Sequence, residues 1–214
     1  MTMILYSGTR NASSWAFRAW LALRESGLSF VEQVVDIRRP QRDANLARIA
    51  AFSPPGAVPV LVDDGCVIFD SLAIMEYAND IGGGVLLPRD ARRRARARSL
   101  LAWVHSGMSG LCSEISFESV FHASRPVPDA ELEAQMHKAL SIIERELQHS
   151  AGPYLSGDLS LADLAFVPVA LRLVSRAPDL ARWPRFADWH EPLLQRPAVE
   201  EWMEQARLLP PVIE

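Results

Sequence analysis

Lysine is almost missing from this chain: Lys138 is the only one among 22 basic residues. Covalent chemistry through a lysine amine is thereby set aside, because Lys138 sits in a charged helical stretch with no apolar pocket evident around it. Cysteine is nearly as scarce. Cys66 and Cys112 stand far apart and form no Cys-x-x-Cys pair, which excludes a disulfide framework and a cysteine-built metal site. No apolar run approaches about 18 residues, so nothing reads as a membrane span. Met1 to Tyr6 runs directly into Ser7-Gly8 without a signal-peptide pattern, and the expected compartment is cytoplasmic. An excess of one charge is lacking too. The net charge of −4 divides evenly, −2 on either side of residue 85, so neither half carries the basic surplus of a nucleic-acid-binding domain. No metal, nucleic acid or membrane partner is expected.

What is present is ordinary globular material: 214 residues, 49% hydrophobic and 22% charged, enough for one large or two small domains. Met3–Tyr6 reads as a buried strand. Ser13-Ser14 precede a helical spacing of Trp15, Phe17, Trp20, Leu21 and Leu23 that stops at Gly27. Phe30 to Ile37 predicts a second strand, and residues 38–50 a short helix. Val58–Val62 and Cys66–Phe69 flank Asp63-Asp64-Gly65 as a hairpin. Ser71 opens a helix that runs to Ile81. The order is β-α-β-α-β-β-α. Gly82-Gly83-Gly84 and Pro88 mark a linker, 83–88. Beyond it only helical spacing is visible, over 90–121, 129–149, 161–177, Trp183–Trp189 and Pro197–Arg207. The predicted domains are therefore residues 1–82 and an all-helical 89–214.

Two short stretches carry chemistry. A proline can open a strand because its first residue can do without an N–H. A cis Val58-Pro59 bond would aim the N–H and C=O of Val58 outward, where a peptide ligand could pair as an extra strand. Asp70-Ser71 opens a helix, whose positive end and hydroxyl suit a carboxylate, while Asp70 suits an amine. Alone, Asp-Ser would be read as a simple helix cap. Following a Val-Pro hairpin, it reads as a site for the zwitterionic head of an amino acid.

The run Ser53-Pro54-Pro55-Gly56-Ala57-Val58-Pro59-Val60-Leu61, followed by Asp70-Ser71-Leu72-Ala73-Ile74 and Tyr77, resembles the glutathione-binding half of the cytosolic glutathione transferases. The resemblance implies an α/β plus all-α fold: a thioredoxin-like N-terminal domain followed by a helical C-terminal domain. It implies glutathione as cosubstrate, a homodimer, and conjugation of the thiol to small hydrophobic electrophiles. Glutathione-dependent isomerisation, dehalogenation or ether cleavage is the alternative, as is a non-catalytic glutathione binder. Val58 would pair with the cysteinyl unit, Pro59 would be the cis proline, and Asp70 and Ser71 would hold the γ-glutamyl head. Ala57 departs from relatives that carry a polar or basic residue there. Arg38, Arg39 or Arg42 could supply that charge at the glycyl end.

A transferase must favour the thiolate, and a hydroxyl at a helix N-terminus can donate to sulfur. The segment Asn11-Ala12-Ser13-Ser14-Trp15, with Arg18 and Trp20, resembles bacterial serine-type enzymes of this family. Ser13 is the preferred thiol contact, with Ser14 and Asn11 as alternatives, because ungapped matching to other classes puts Asn11 at that place. Both serines could equally serve only as caps. His105, Met108 and Ser109 lie on the helix that, in the family, helps form the electrophile site; a lone histidine there is more commonly a packed residue. Arg89 to Arg98 reads as a solvated, charged helix start. In the helical half, Ser160 and Asp163 form a capping box opening a hydrophobic helix, worth about 1 kcal/mol.

Overall fold

The computed structural model describes residues 3–121, 127–176 and 178–210. Four strands, β1 (Ile4–Gly8), β2 (Val31–Val35), β3 (Val60–Asp63) and β4 (Cys66–Phe69), form one sheet in the order β2-β1-β3-β4. β1 runs parallel to β2, with Ile4 opposite Val31, and antiparallel to β3, with Leu5 opposite Leu61. The parallel pair needs a crossover, which α1 (Ser14–Glu25) supplies, while β3 and β4 close the hairpin through Asp64-Gly65. α2 (Arg42–Ala50) follows β2, and α3 (Ser71–Ile81) follows β4.

α1 carries almost nothing polar on its inner turns, and every residue from Ala16 to Leu23 is buried. It stops at Gly27, whose φ of +70° lets the Leu28 N–H fold back to the Leu23 carbonyl. Leu5, Phe17, Leu21, Leu61, Ile74 and Met75 are fully buried and make the core of this unit, with α1 packed along α3.

The chain divides into two compact units, and the division departs from the sequence expectation. The first unit takes residues up to Val85 and also those from Glu200 onward; the second is continuous, Leu86–Val199. The last helix, α9 (Pro197–Arg207), reads as one more helix of the second half. Its Trp202, however, stacks on Phe17 at 4.7 Å between ring centroids and meets Trp20 edge-on at 5.5 Å. Two large aromatic faces on α1 needed a cover, and α9 provides it.

The second unit contains α4 (Ala91–Ala102), α5 (Ser109–Glu114), α6 (Ala130–Gln148), α7 (Leu161–Ser175) and α8 (Pro184–Leu194). The single helix expected over 90–121 is interrupted by a π-helical turn, Trp103–Gly107, and ends in a 3-10 turn, Glu118–Phe121. Ser106-Gly107 and Ser109-Gly110 are poor helix formers, which explains the break. The helix expected over 161–177 ends at Ser175, and its last expected residue, Ala177, lies outside the described residues. α7 is buried on nearly every face. At its start Asp163 accepts hydrogen bonds from Ser160 N and Oγ (2.9 and 2.6 Å), Leu155 N (2.9 Å) and Trp189 Nε1 (2.9 Å). Burial pushes the Asp163 carboxyl up from the ordinary carboxylate range, against the pull of those donors. No helix among the described residues is long and apolar enough to cross a membrane.

Candidate functional site

The turn between β1 and α1 is tied down before it reaches Ser13. The Thr9 carbonyl accepts from both Ala12 N and Ser13 N, at 2.9 and 2.8 Å. Thr9 Oγ1 donates to Asp36 Oδ1 (3.1 Å) and accepts from Ile37 N (3.0 Å), fastening the turn to the end of β2. Ser13 then caps α1, its Oγ accepting the Ala16 N–H at 3.4 Å. Among the described residues that hydroxyl donates to nothing, so its proton is available to a ligand. The first turn of α1 holds no acidic side chain, which leaves its positive end uncompensated.

Gly8 shows what lies beside that hydroxyl. A Cβ there would sit 2.6 Å from Ser13 Cβ, 2.7 Å from Ser13 Oγ and 3.1 Å from Val58 Cγ2. Only a residue without a side chain fits, and Gly8 thereby lets its backbone lie against both Ser13 and Val58. Val58 itself precedes β3 and takes no part in the ladder with β1, whose last pair is Tyr6 with Val60. The Val58–Pro59 peptide bond is cis.

Of the alternatives to Ser13, Asn11 is buried and spends an amide N–H on the Pro210 carbonyl, at 2.9 Å. Its remaining oxygen can only accept. Ser14 is the first residue of α1 and is buried.

Asp70 stands at φ +73°, ψ 130°, a conformation that costs about 1–3 kcal/mol outside glycine. It caps α3 by accepting the Leu72 N–H at 2.8 Å. Ser71 is buried, and its Oγ accepts from Arg18 Nη2 at 2.8 Å. Arg18 is itself buried, with its guanidinium 3.9 Å from the centre of the Trp15 ring. A cation held beside the hydroxyl and the positive end of α3 would strengthen a carboxylate site at Asp70-Ser71. No role was assigned to Arg18 from the sequence. The signal was there in an arginine placed inside an otherwise apolar helical run.

Arg38 lies elsewhere in its interactions. Its Nε and Nη2 both donate to the Asp36 carboxylate at 2.9 Å, and its own N–H donates to Asp36 Oδ1 at 3.0 Å. The Arg38 guanidinium holds the Asp36 carboxyl down at about 2, against the opposing effect of burial. One edge of Arg38 is thus committed, while Arg39 and Arg42 are exposed. The three residues named for the electrophile differ in exposure. Met108 is buried in the second unit, Ser109 is exposed with its Oγ donating to the Ser106 carbonyl at 3.2 Å, and His105 is half-buried in the π turn. Among the described residues no three metal-binding side chains are gathered together.

A small mixed sheet flanked by helices, a cis Val-Pro ahead of its third strand and a hydroxyl at the first helix N-terminus define a thioredoxin-like protein of the glutathione-binding kind. Comparison with known proteins gives the same class. The profile of the glutathione S-transferase N-terminal domain matches residues 12–81, and that of the C-terminal domain residues 128–205. The glutathione S-transferase-like protein OpS6 of Beauveria bassiana is 30% identical over 210 residues, covering 92% of both chains. The maleylacetoacetate isomerase of Mus musculus is 30% identical over 198 residues, covering 89% of this chain and 87% of its own. Among solved structures, a glutathione transferase homologue from Burkholderia with bound glutathione superposes with TM-score 0.70 at 25% identity, covering 97% and 98% of the two chains. The chain belongs to the glutathione S-transferase family, and with it to the glutathione-transferase-like enzymes.

Proposed function

We propose that the protein binds glutathione on its first unit and conjugates the thiolate to small hydrophobic electrophiles. The observation that carries this is the Ser13 hydroxyl, undirected toward any described acceptor, held against Gly8 at the positive end of α1, with Val58 packed at the same glycine. In this reading the backbone of Val58 pairs with the cysteinyl unit and places its sulfur beside Ser13. Ser13 donates to the thiolate, the α1 dipole adds to that stabilisation, and the thiol pKa falls below its ordinary value near about 8.5. The γ-glutamyl carboxylate meets Ser71, Arg18 and the N-terminus of α3, and Asp70 takes the ammonium. The thiolate then attacks an electrophilic carbon, forming the C–S bond as a leaving group departs or a carbanion is protonated. A cytoplasmic homodimer is part of the same proposal, on the family resemblance.

A second reading is glutathione-dependent isomerisation, favoured by relatives named maleylacetoacetate isomerase at 27–30% identity. Its first step is the same: the thiolate adds to a conjugated double bond, the resulting single bond rotates, and the thiolate leaves unchanged. Calorimetric titration with glutathione, with ultraviolet absorbance of the bound thiolate followed against pH, tests the common step. Binding with a lowered thiol pKa is expected, and Ser13→Ala should raise that pKa toward the free value. An unshifted thiol in the wild type would leave a binder and no transferase. Maleylacetoacetate turned over without net consumption of glutathione would select the isomerase.

A further inference from the structure

Ser13 has little of its own to hold it in place. Among the described residues its only side-chain hydrogen bond is the long one from Ala16 N, so the position of Oγ is inherited from the turn before it. That turn is held residue by residue. Thr9 is fixed to the end of β2. The Arg10 carbonyl accepts from Trp202 Nε1 at 3.0 Å. The Arg10 guanidinium pairs with Glu32, which also accepts from Ser7 Oγ at 2.5 Å. The same guanidinium lies over the Trp202 ring at 4.5 Å and the Trp20 ring at 5.4 Å. Asn11 Nδ2 donates to the Pro210 carbonyl. Two of these three anchors come from the end of the chain, from residues after Glu200 that belong to the first unit.

We propose that Trp202 is a positioning residue for Ser13: its indole N–H and face hold Arg10, and through Arg10 set the turn that presents the Ser13 hydroxyl. The inference rests on the reading of Ser13 as the thiol contact. A fully buried tryptophan that served only as core would be satisfied by its stacking on Phe17, and its N–H could be bonded anywhere. Here the N–H is spent on a main-chain carbonyl three residues ahead of the reacting hydroxyl.

Trp202→Phe keeps an aromatic ring for Phe17 and removes the donor together with the second ring of the indole. Trp189→Phe removes an indole N–H of the same kind, from Asp163 in the second unit, and serves as the control for general destabilisation. Three quantities are read on the full chain: thiol pKa of bound glutathione, glutathione Kd, and hydrogen exchange of the Ala12 and Ser13 amides without ligand. Trp202→Phe should speed exchange at both amides and move the thiol pKa up by about one unit, as displacement of a catalytic group does. Kd should change less than about twofold, since the γ-glutamyl site is untouched. Trp189→Phe should alter the melting temperature but none of the three. Wild-type exchange rates and thiol pKa in Trp202→Phe would overturn the proposal. A wild type that leaves the thiol at its free value would sink the transferase reading instead, and the exchange of the free protein would still decide the anchor. Should Trp202→Phe fold poorly, Glu32→Gln weakens the hold on Arg10 from the opposite side and is judged by the same three readings.

Discussion

Replacing Gly8 with alanine tests the geometry of the site most directly. The added Cβ would lie 2.6 Å from Ser13 Cβ and 2.7 Å from its Oγ. Both are about 1 Å inside a normal carbon contact of about 3.5–4.0 Å, so Ser13 has to move. The strain is not in the backbone at position 8, because Gly8 ends an ordinary strand rather than standing at positive φ. Overfilling a packed site by a methyl group costs about 1–3 kcal/mol. In a chain of this length each of those lowers Tm by about 2–4 °C, giving a fall of about 2–12 °C. The same displacement takes the hydroxyl from the sulfur, so the bound thiol should shift toward the free value near about 8.5 and turnover should drop about tenfold or more. A double-mutant cycle locates the cause. Ser13→Gly removes both close atoms and leaves only Val58 Cγ2 at 3.1 Å, so the cost of Gly8→Ala should shrink to about 0.5 kcal/mol. If Gly8→Ala melts and titrates like the wild type, or if its cost survives in the Ser13→Gly background, the assignment of Ser13 beside Gly8 fails.

Three further outcomes are expected. Asp163→Ala strands the buried N–H groups of Leu155, Ser160 and Trp189; at about 1–3 kcal/mol each, stability should fall by at least about 3 kcal/mol and Tm by about 6 °C. A thermal melt within a degree of wild type would contradict this, and the figure exceeds the single-cap value because one carboxylate serves several donors. Arg18→Met should weaken glutathione binding about tenfold, and calorimetry with an analogue lacking the γ-glutamyl carboxylate should show no such loss; equal losses for both ligands would assign Arg18 a purely structural part. Asp36, held at about 2 against an unfolded value of 3.8, contributes stability that is complete above pH 4 and is lost as pH falls toward 2. Carboxyl carbon shifts should therefore find it still ionised at pH 3 in the wild type and protonating in Arg38→Ala.

The hairpin, the first helix and the order of elements in the first unit were legible because each rests on local chemistry: alternation, a serine cap, a glycine stop. The capping box at Ser160 and Asp163 was legible for the same reason, though not the reach of Asp163 to Trp189. Arg18 was visible as a residue yet not as a partner of Ser71, since 53 positions separate them and only the packing of α1 along α3 closes that distance. The break in the helix after Ala102 and the burial of Met108 were equally hidden, because apolar spacing does not tell which of two faces a neighbour will cover. The allegiance of α9 was the largest departure. Its helical pattern was plain, but a pattern says that one face needs burying and nothing about against what.

That allegiance also sets an order of events during synthesis. The second unit is one uninterrupted stretch, 86–199, all of it synthesised before Trp202. The first unit, although made first, waits with Phe17 and Trp20 uncovered until Trp202 leaves the exit tunnel. The first unit, to which the proposed thiol site belongs, therefore cannot complete its packing before α9 is made, and a chain stopped short of Trp202 would leave Phe17 and Trp20 without that cover.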